Sequence, residues 1–199
     1  MKTDYTLISL EEIEMRLKEC LSPERFEHSL GVMEKSVELA QKYNCNVEKA
    51  RLAGLLHDCA KCRDKDELKM LIDENNLDED NCCAGSYKVW HAPVSAFLAQ
   101  RDFGIGDKEI LSAIKWHTMG KLNMTLLEKI VYLSDKIEER TREIENRVPV
   151  EKVLRETNSL DAAILKSFKM TICSLTERNL PICQTTIDVY NELLKNTNL

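Results

Sequence analysis

The chain has 199 residues, 43% of them hydrophobic and 31% charged, which fits one folded domain with a real core and excludes a disordered chain. Its formal net charge of −6 excludes a nonspecific nucleic-acid binder, which would carry a basic surplus, but leaves room for a phosphorylated substrate held by a metal and a few arginines. The opening residues lack the basic-then-apolar order of a signal peptide, and no apolar run reaches membrane-span length, so a cytoplasmic location is expected.

The elements read as helices in chain order. Leu10 to Cys20 has apolar residues at helical spacing, and Ser22-Pro23-Glu24 starts a second helix with a stripe from Phe26 to about Tyr43. Asn46 caps a third, which leads through Ala53, Gly54 and Leu56 to His57-Asp58. Asp64 to Asn75 predicts a short amphipathic helix and Asn76 to Trp90 a loop. His91 opens a helix that stops before Gly104, Asp107 starts the next, and Thr118-Met119-Gly120 ends it. Leu122 to Glu138 predicts a strongly apolar helix. The charged, weakly patterned stretch Arg140 to Pro149 predicts a loop or hinge, and Asp161 to Arg178 and Ile182 to Lys195 predict two closing helices. Nothing alternates with period two, so the expected fold is an all-α, single-domain bundle over residues 1–199, its metal-site core spanning about residues 22 to 142.

The eight cysteines follow no framework, and without a secretion signal they are expected to be reduced. Cys59 and Cys62 form a CxxC, but Cys82-Cys83 is a poor second pair for structural zinc, and no βαβ context suggests redox chemistry. These thiols are read as incidental.

The informative residues are the four histidines with two aspartates: His28, His57-Asp58, His91, His117 and Asp135. Adjacent residues on a helix point about 100° apart, so His57 and Asp58 can share one ion only at a helix end, where the backbone turns. With His28 and Asp135 brought in by other helices, four mixed ligands surround one ion. His91 and His117 either hold a second ion, with the Asp58 carboxylate bridging, or donate to phosphate. Such donors suit iron, manganese, cobalt or zinc better than magnesium or calcium. Arg25, Lys61 and Arg140 lie within about a turn of these residues and suit phosphate oxygens, and Thr118 can add a hydrogen bond to phosphate or ribose. Trp90 and Trp116 precede histidines, and packing is the more economical role for each.

The ordered set Arg25-x-x-His28-Ser29, Ala53-Gly54-Leu55-Leu56-His57-Asp58-x-Ala60-Lys61, His117-Thr118-x-Gly120 and Asp135-Lys136-Ile137-Glu138-x-Arg140 resembles the HD-domain phosphohydrolases, and the YqeK family in particular. The resemblance spans about residues 10 to 185. Ser134 departs from the alanine usual before the aspartate, and the CxxC lies outside the pattern. The resemblance implies iron at the site and symmetrical cleavage of diadenosine tetraphosphate into two ADP by a metal-activated water. It implies His28, His57, Asp58 and Asp135 as ligands and Asp58, His91 and His117 as catalytic residues. Contacts to the nucleotide would come from Arg25, His28, Asp58, Lys61, Thr118 and Arg140. The implied partners are a dinucleoside polyphosphate and an ADP- or GDP-like product, with no nucleic acid or membrane, on a monomer or homodimer. The alternatives are an HD-type phosphohydrolase for another nucleotide and a nucleotide-binding sensor with little turnover.

Overall fold

A computed structural model describes residues 5–78 and 87–197. Among these residues there are ten α-helices and no strand, in agreement with the all-α expectation. They are α1 (Leu10–Cys20), α2 (Pro23–Lys42), α3 (Val47–Leu56), α4 (Lys65–Asn75), α5 (His91–Phe103), α6 (Lys108–Trp116), α7 (Leu126–Ile137), α8 (Ile144–Thr157), α9 (Leu160–Glu177) and α10 (Gln184–Asn196).

Most helix starts follow directly from local chemistry. Ser9, Ser22, Asn46, Asp64, Asp107 and Ser159 each accept a hydrogen bond from a backbone N–H two or three residues on, and Pro23 occupies the first turn of α2. The helices bury one connected core that includes Leu17, Leu39, Leu52, Leu56, Ile110, Ile114, Leu133 and Phe168. Helices α2 and α3 approach closely at Gly54, where a Cβ would stand 2.8 Å from Ser36 Oγ and 3.0 Å from Met33 Cα. That approach brings His28 and His57 to one face.

Three expectations are corrected in detail. Leu122 to Glu138 is not one helix: Asn123 takes a left-handed φ of 55°, and α7 begins at Leu126 behind a Thr125–Glu128 capping box. The reciprocal hydrogen bonds of that box fix the start more firmly than the apolar run before it. Only the front of Arg140 to Pro149 is a loop. From Ile144 the chain is helical with Pro149 inside α8, because burying Val150 and Leu154 outweighs the one backbone hydrogen bond that proline forfeits. The predicted loop Asn76 to Trp90 contains a 3₁₀ turn at Tyr87–Val89, and its residues 79–86, including Cys82 and Cys83, lie outside the described residues.

The CxxC thiols diverge. Cys59 is buried against the Ser95 carbonyl, and burial pushes its thiol up to about 12, whereas Cys62 is exposed and accepts the Ser22 N–H. None of the described cysteines is in a disulfide.

Candidate metal centre

The site is assembled from helix ends. Helix α3 stops at Leu56, and the turn that follows swings His57 and Asp58 inward together. His28 comes from the second turn of α2, His91 from the first residue of α5, His117 from the C-terminal cap of α6 and Asp135 from the last turn of α7. All six are buried, none more than 5% exposed. Charged and imidazole side chains are rarely buried together unless they are paired or hold a cation.

The six fall into two sets that share Asp58. Its Oδ2 faces His57 Nε2 at 3.6 Å and His28 Nε2 at 3.9 Å, while Oδ1 faces His91 Nε2 at 3.1 Å and His117 Nε2 at 3.4 Å. Asp135 Oδ1 completes the first set, 3.0 Å from His28 Nε2 and 3.7 Å from His57 Nε2. Apart from Asp135, His28, His57 and Asp58 form one group of three potential ligand atoms and Asp58, His91 and His117 another, each within the span of a single ion.

The outer ring nitrogens decide what the inner ones can do. His57 Nδ1 donates to the Gly54 carbonyl and His117 Nδ1 to the Ile114 carbonyl, each at 2.7 Å, and His28 Nδ1 lies 3.1 Å from Glu138 Oε1. These rings therefore turn Nε2 inward. His28 and His57 Nε2 are only 3.3 Å apart, so two lone pairs would face each other unless a proton or a cation lies between them. Asp58 Oδ1 is buried without a hydrogen bond of good geometry. An orphaned carboxylate oxygen beside converging imidazole nitrogens fits a divalent metal, and the nitrogen-oxygen donor set without thiolate fits a transition ion.

Electrostatics agree with that fit. Burial drives His57 down to about 3 and His91 down to about 4, so both are neutral, as metal ligands must be. Burial presses Asp58 and Asp135 upward, but the charges and hydrogen bonds around them hold both carboxyls well below the usual range. Burial acts to lower His28, but the hydrogen bonds that its ring donates to Asp135 and Glu138 outweigh it and leave the group raised.

Cations ring the cluster. Arg25 Nη1 donates to Asp58 Oδ2 at 2.9 Å, and Lys61 Nζ stands 3.0 Å from His91 Nε2. Thr118 Oγ1 lies 3.0 Å from His117 Nε2 and 3.3 Å from His91 Nε2. Arg140 is not brought in: its guanidinium pairs with Glu27 and Glu34 on the outer face of α2, and that arrangement holds the loop after α7 in place. The arginine at the cluster is Arg142, which donates to the Asp135 carbonyl at 2.6 Å and to its Oδ1 at 2.5 Å, while Lys136 Nζ donates to Oδ2 at 2.7 Å. Arg142 and the backing carboxylate Glu138 are absent from the predicted site. Two sequence signals could have placed Glu138 there: it follows Asp135 by three residues, and it stands in the same motif as that aspartate.

Trp90 lines a cavity of about 550 Å³ beside Thr118, together with Tyr87, Met119, Leu175 and Leu180. Trp116 lines a separate groove beside Phe97 and Pro93.

Comparison with known proteins agrees with this geometry. The HD domain family model matches residues 25–140, which contain every residue of the cluster. A symmetrical bis(5'-nucleosyl)-tetraphosphatase of Halalkalibacterium halodurans is 40% identical over 89% of this chain and 93% of its own length. The Bacillus subtilis enzyme of the same name is 38% identical over 89% of this chain and 94% of its own. A crystal structure from Clostridium acetobutylicum, described as a predicted HD superfamily hydrolase involved in NAD metabolism, superposes with a TM-score of 0.85. It has 35% identity and covers 95% of this chain and 98% of that one. The chain belongs to the HD domain family.

Proposed function

We propose that the protein is a metal-dependent hydrolase that cleaves dinucleoside tetraphosphates, diadenosine tetraphosphate first among them, symmetrically into two nucleoside diphosphates. The observation that carries the reading is Asp58, whose two buried oxygens each face a different pair of histidines. His28, His57, Asp58 and Asp135 hold one ion in this reading. His91 and His117 hold a second across Asp58, and iron is the resident metal, with manganese, cobalt or zinc able to use the same donors. Bound metal supplies an acidified water and draws charge from the phosphoryl oxygens.

The chain's own groups do the rest. Arg25, Lys136 and Arg142 are held on the ligand carboxylates, so they stand where phosphate oxygens gather and can trade a carboxylate for a phosphate. Lys61 and Thr118 approach from the His91–His117 side and fix the same chain of phosphates from there. The cavity of about 550 Å³ reached past Thr118 has the size and apolar lining of a nucleoside pocket, with Trp90 and Tyr87 as stacking surfaces. The names of the two bacillary relatives support the choice of substrate and the symmetry of the cut.

Asp58→Ala tests the reading. Loaded anaerobically with iron or manganese, the wild-type protein releases ADP from diadenosine tetraphosphate, and the variant loses both bound metal and ADP release. A variant that keeps turnover contradicts the assignment. A wild-type protein that binds ADP without turnover would make it a sensor instead.

A further inference from the structure

A second cavity, about 250 Å³, opens beside the cluster, lined by Lys61, Arg63, Lys65, Tyr87, Lys88 and His91, with no carboxylate among the described residues of its wall. It lies one step from the cluster: Lys61 Nζ is 3.0 Å from His91 Nε2, which in turn is 3.1 Å from Asp58 Oδ1. Four cations line one small recess in a chain of net charge −6, against the overall sign of the molecule. Arg63 forms an ion pair with Glu67 one turn along α4, and Lys65 Nζ sits 5.6 Å over the Tyr87 ring, so both heads are held at the recess. This recess shares Lys65, Tyr87 and Lys88 with the larger, apolar cavity, so the two flank one segment of chain.

A symmetrical cut through four phosphates leaves two charged halves of equal size. The apolar cavity of about 550 Å³ is of a size for one nucleoside, which leaves the other half to be placed elsewhere. We propose that the basic recess is the subsite for the phosphates of the departing nucleotide, with Lys65 and Lys88 setting the preference for a leaving group that itself carries phosphate. The inference rests on the tetraphosphatase reading and adds the residues that select the second half. Lys61 bridges the two regions, because it touches a cluster histidine and lines the recess at once. The departing diphosphate keeps its countercharge as the bond between the middle phosphates breaks and water supplies the new oxygen.

Lys65→Ala/Lys88→Ala is the test, with metal-loaded protein on two substrates. Diadenosine tetraphosphate has a charged departing half; bis(p-nitrophenyl) phosphate loses p-nitrophenolate, which carries no phosphate. The expected result is that kcat/KM on the dinucleotide falls at least about tenfold more than on the aryl ester, chiefly through KM, and with a flatter dependence on ionic strength. Lys65→Glu should widen the gap further. Equal losses on the two substrates, or no loss on either, overturn the proposal while leaving the tetraphosphatase reading intact. A wild-type protein that makes no ADP from the dinucleotide, yet cleaves the ester, overturns that reading and the subsite with it.

Discussion

Glu138 accepts from His28 Nδ1 at 3.1 Å, a contact that turns the ring's Nε2 toward Asp135 Oδ1, 3.0 Å away. The carboxylate is itself fixed by the Arg140 N–H at 2.7 Å and by the Thr141 backbone and hydroxyl, the latter at 2.5 Å. It is wholly buried, and although burial acts to raise it, these donors hold it down at about 2. Space for it exists because residue 31 is glycine: a Cβ there would lie 2.3 Å from Glu138 Oε2. The loop after α7 thereby orients His28 on α2.

Replacing Glu138 by alanine should therefore weaken metal binding before it weakens the fold. Loss of a carboxylate behind a ligand histidine typically costs about 10–100-fold in metal affinity. Chelator competition measures it, and affinity equal to wild type would show that His28 needs no such support.

Ser134, the departure from the family pattern, buries its hydroxyl without a hydrogen-bond partner in the last turn of α7. Removing an unsatisfied buried hydroxyl avoids its desolvation cost, so Ser134→Ala should raise stability by up to about 1 kcal/mol with bound metal unchanged. Thermal unfolding and elemental content of the same sample check both halves of that statement.

Glu128 supplies a pH dependence outside the metal cluster. Burial acts to raise its pKa, yet hydrogen bonds from Lys121, Ser112 and the Thr125 N–H outweigh it and leave the group below its ordinary 4.5. A depressed carboxyl contributes stability above its unfolded pKa and loses it as pH falls through the folded value. Glu128→Gln should cost about 1–2 kcal/mol at neutral pH, with the deficit shrinking between about pH 6 and about pH 3. A deficit that stays constant over that range would contradict the assignment.

Much of this was legible in the sequence because it depends on local rules. Capping residues and apolar spacing placed α1 to α6 closely, and the small residues before His57 signalled a helix end where neighbouring side chains could converge. The placement of Asp58 between two pairs of histidines followed from that end. What stayed hidden depends on the path of a loop. Arg140 and Arg142 are alike in sequence, but the backbone after Ile137 turns one to α2's outer carboxylates and the other to Asp135. Pro149 read as a breaker because its local cost is visible and the burial of Val150 and Leu154 is not. Both cavities are walled by segments far apart in the chain, so no spacing could announce them.

The most direct measurement is product analysis of diadenosine tetraphosphate cleaved in ¹⁸O-labelled water by protein of known metal content. ADP as the sole nucleotide product, one of each two molecules carrying a single label, is the predicted result. AMP together with ATP, or intact substrate in the presence of a full complement of metal, would contradict it.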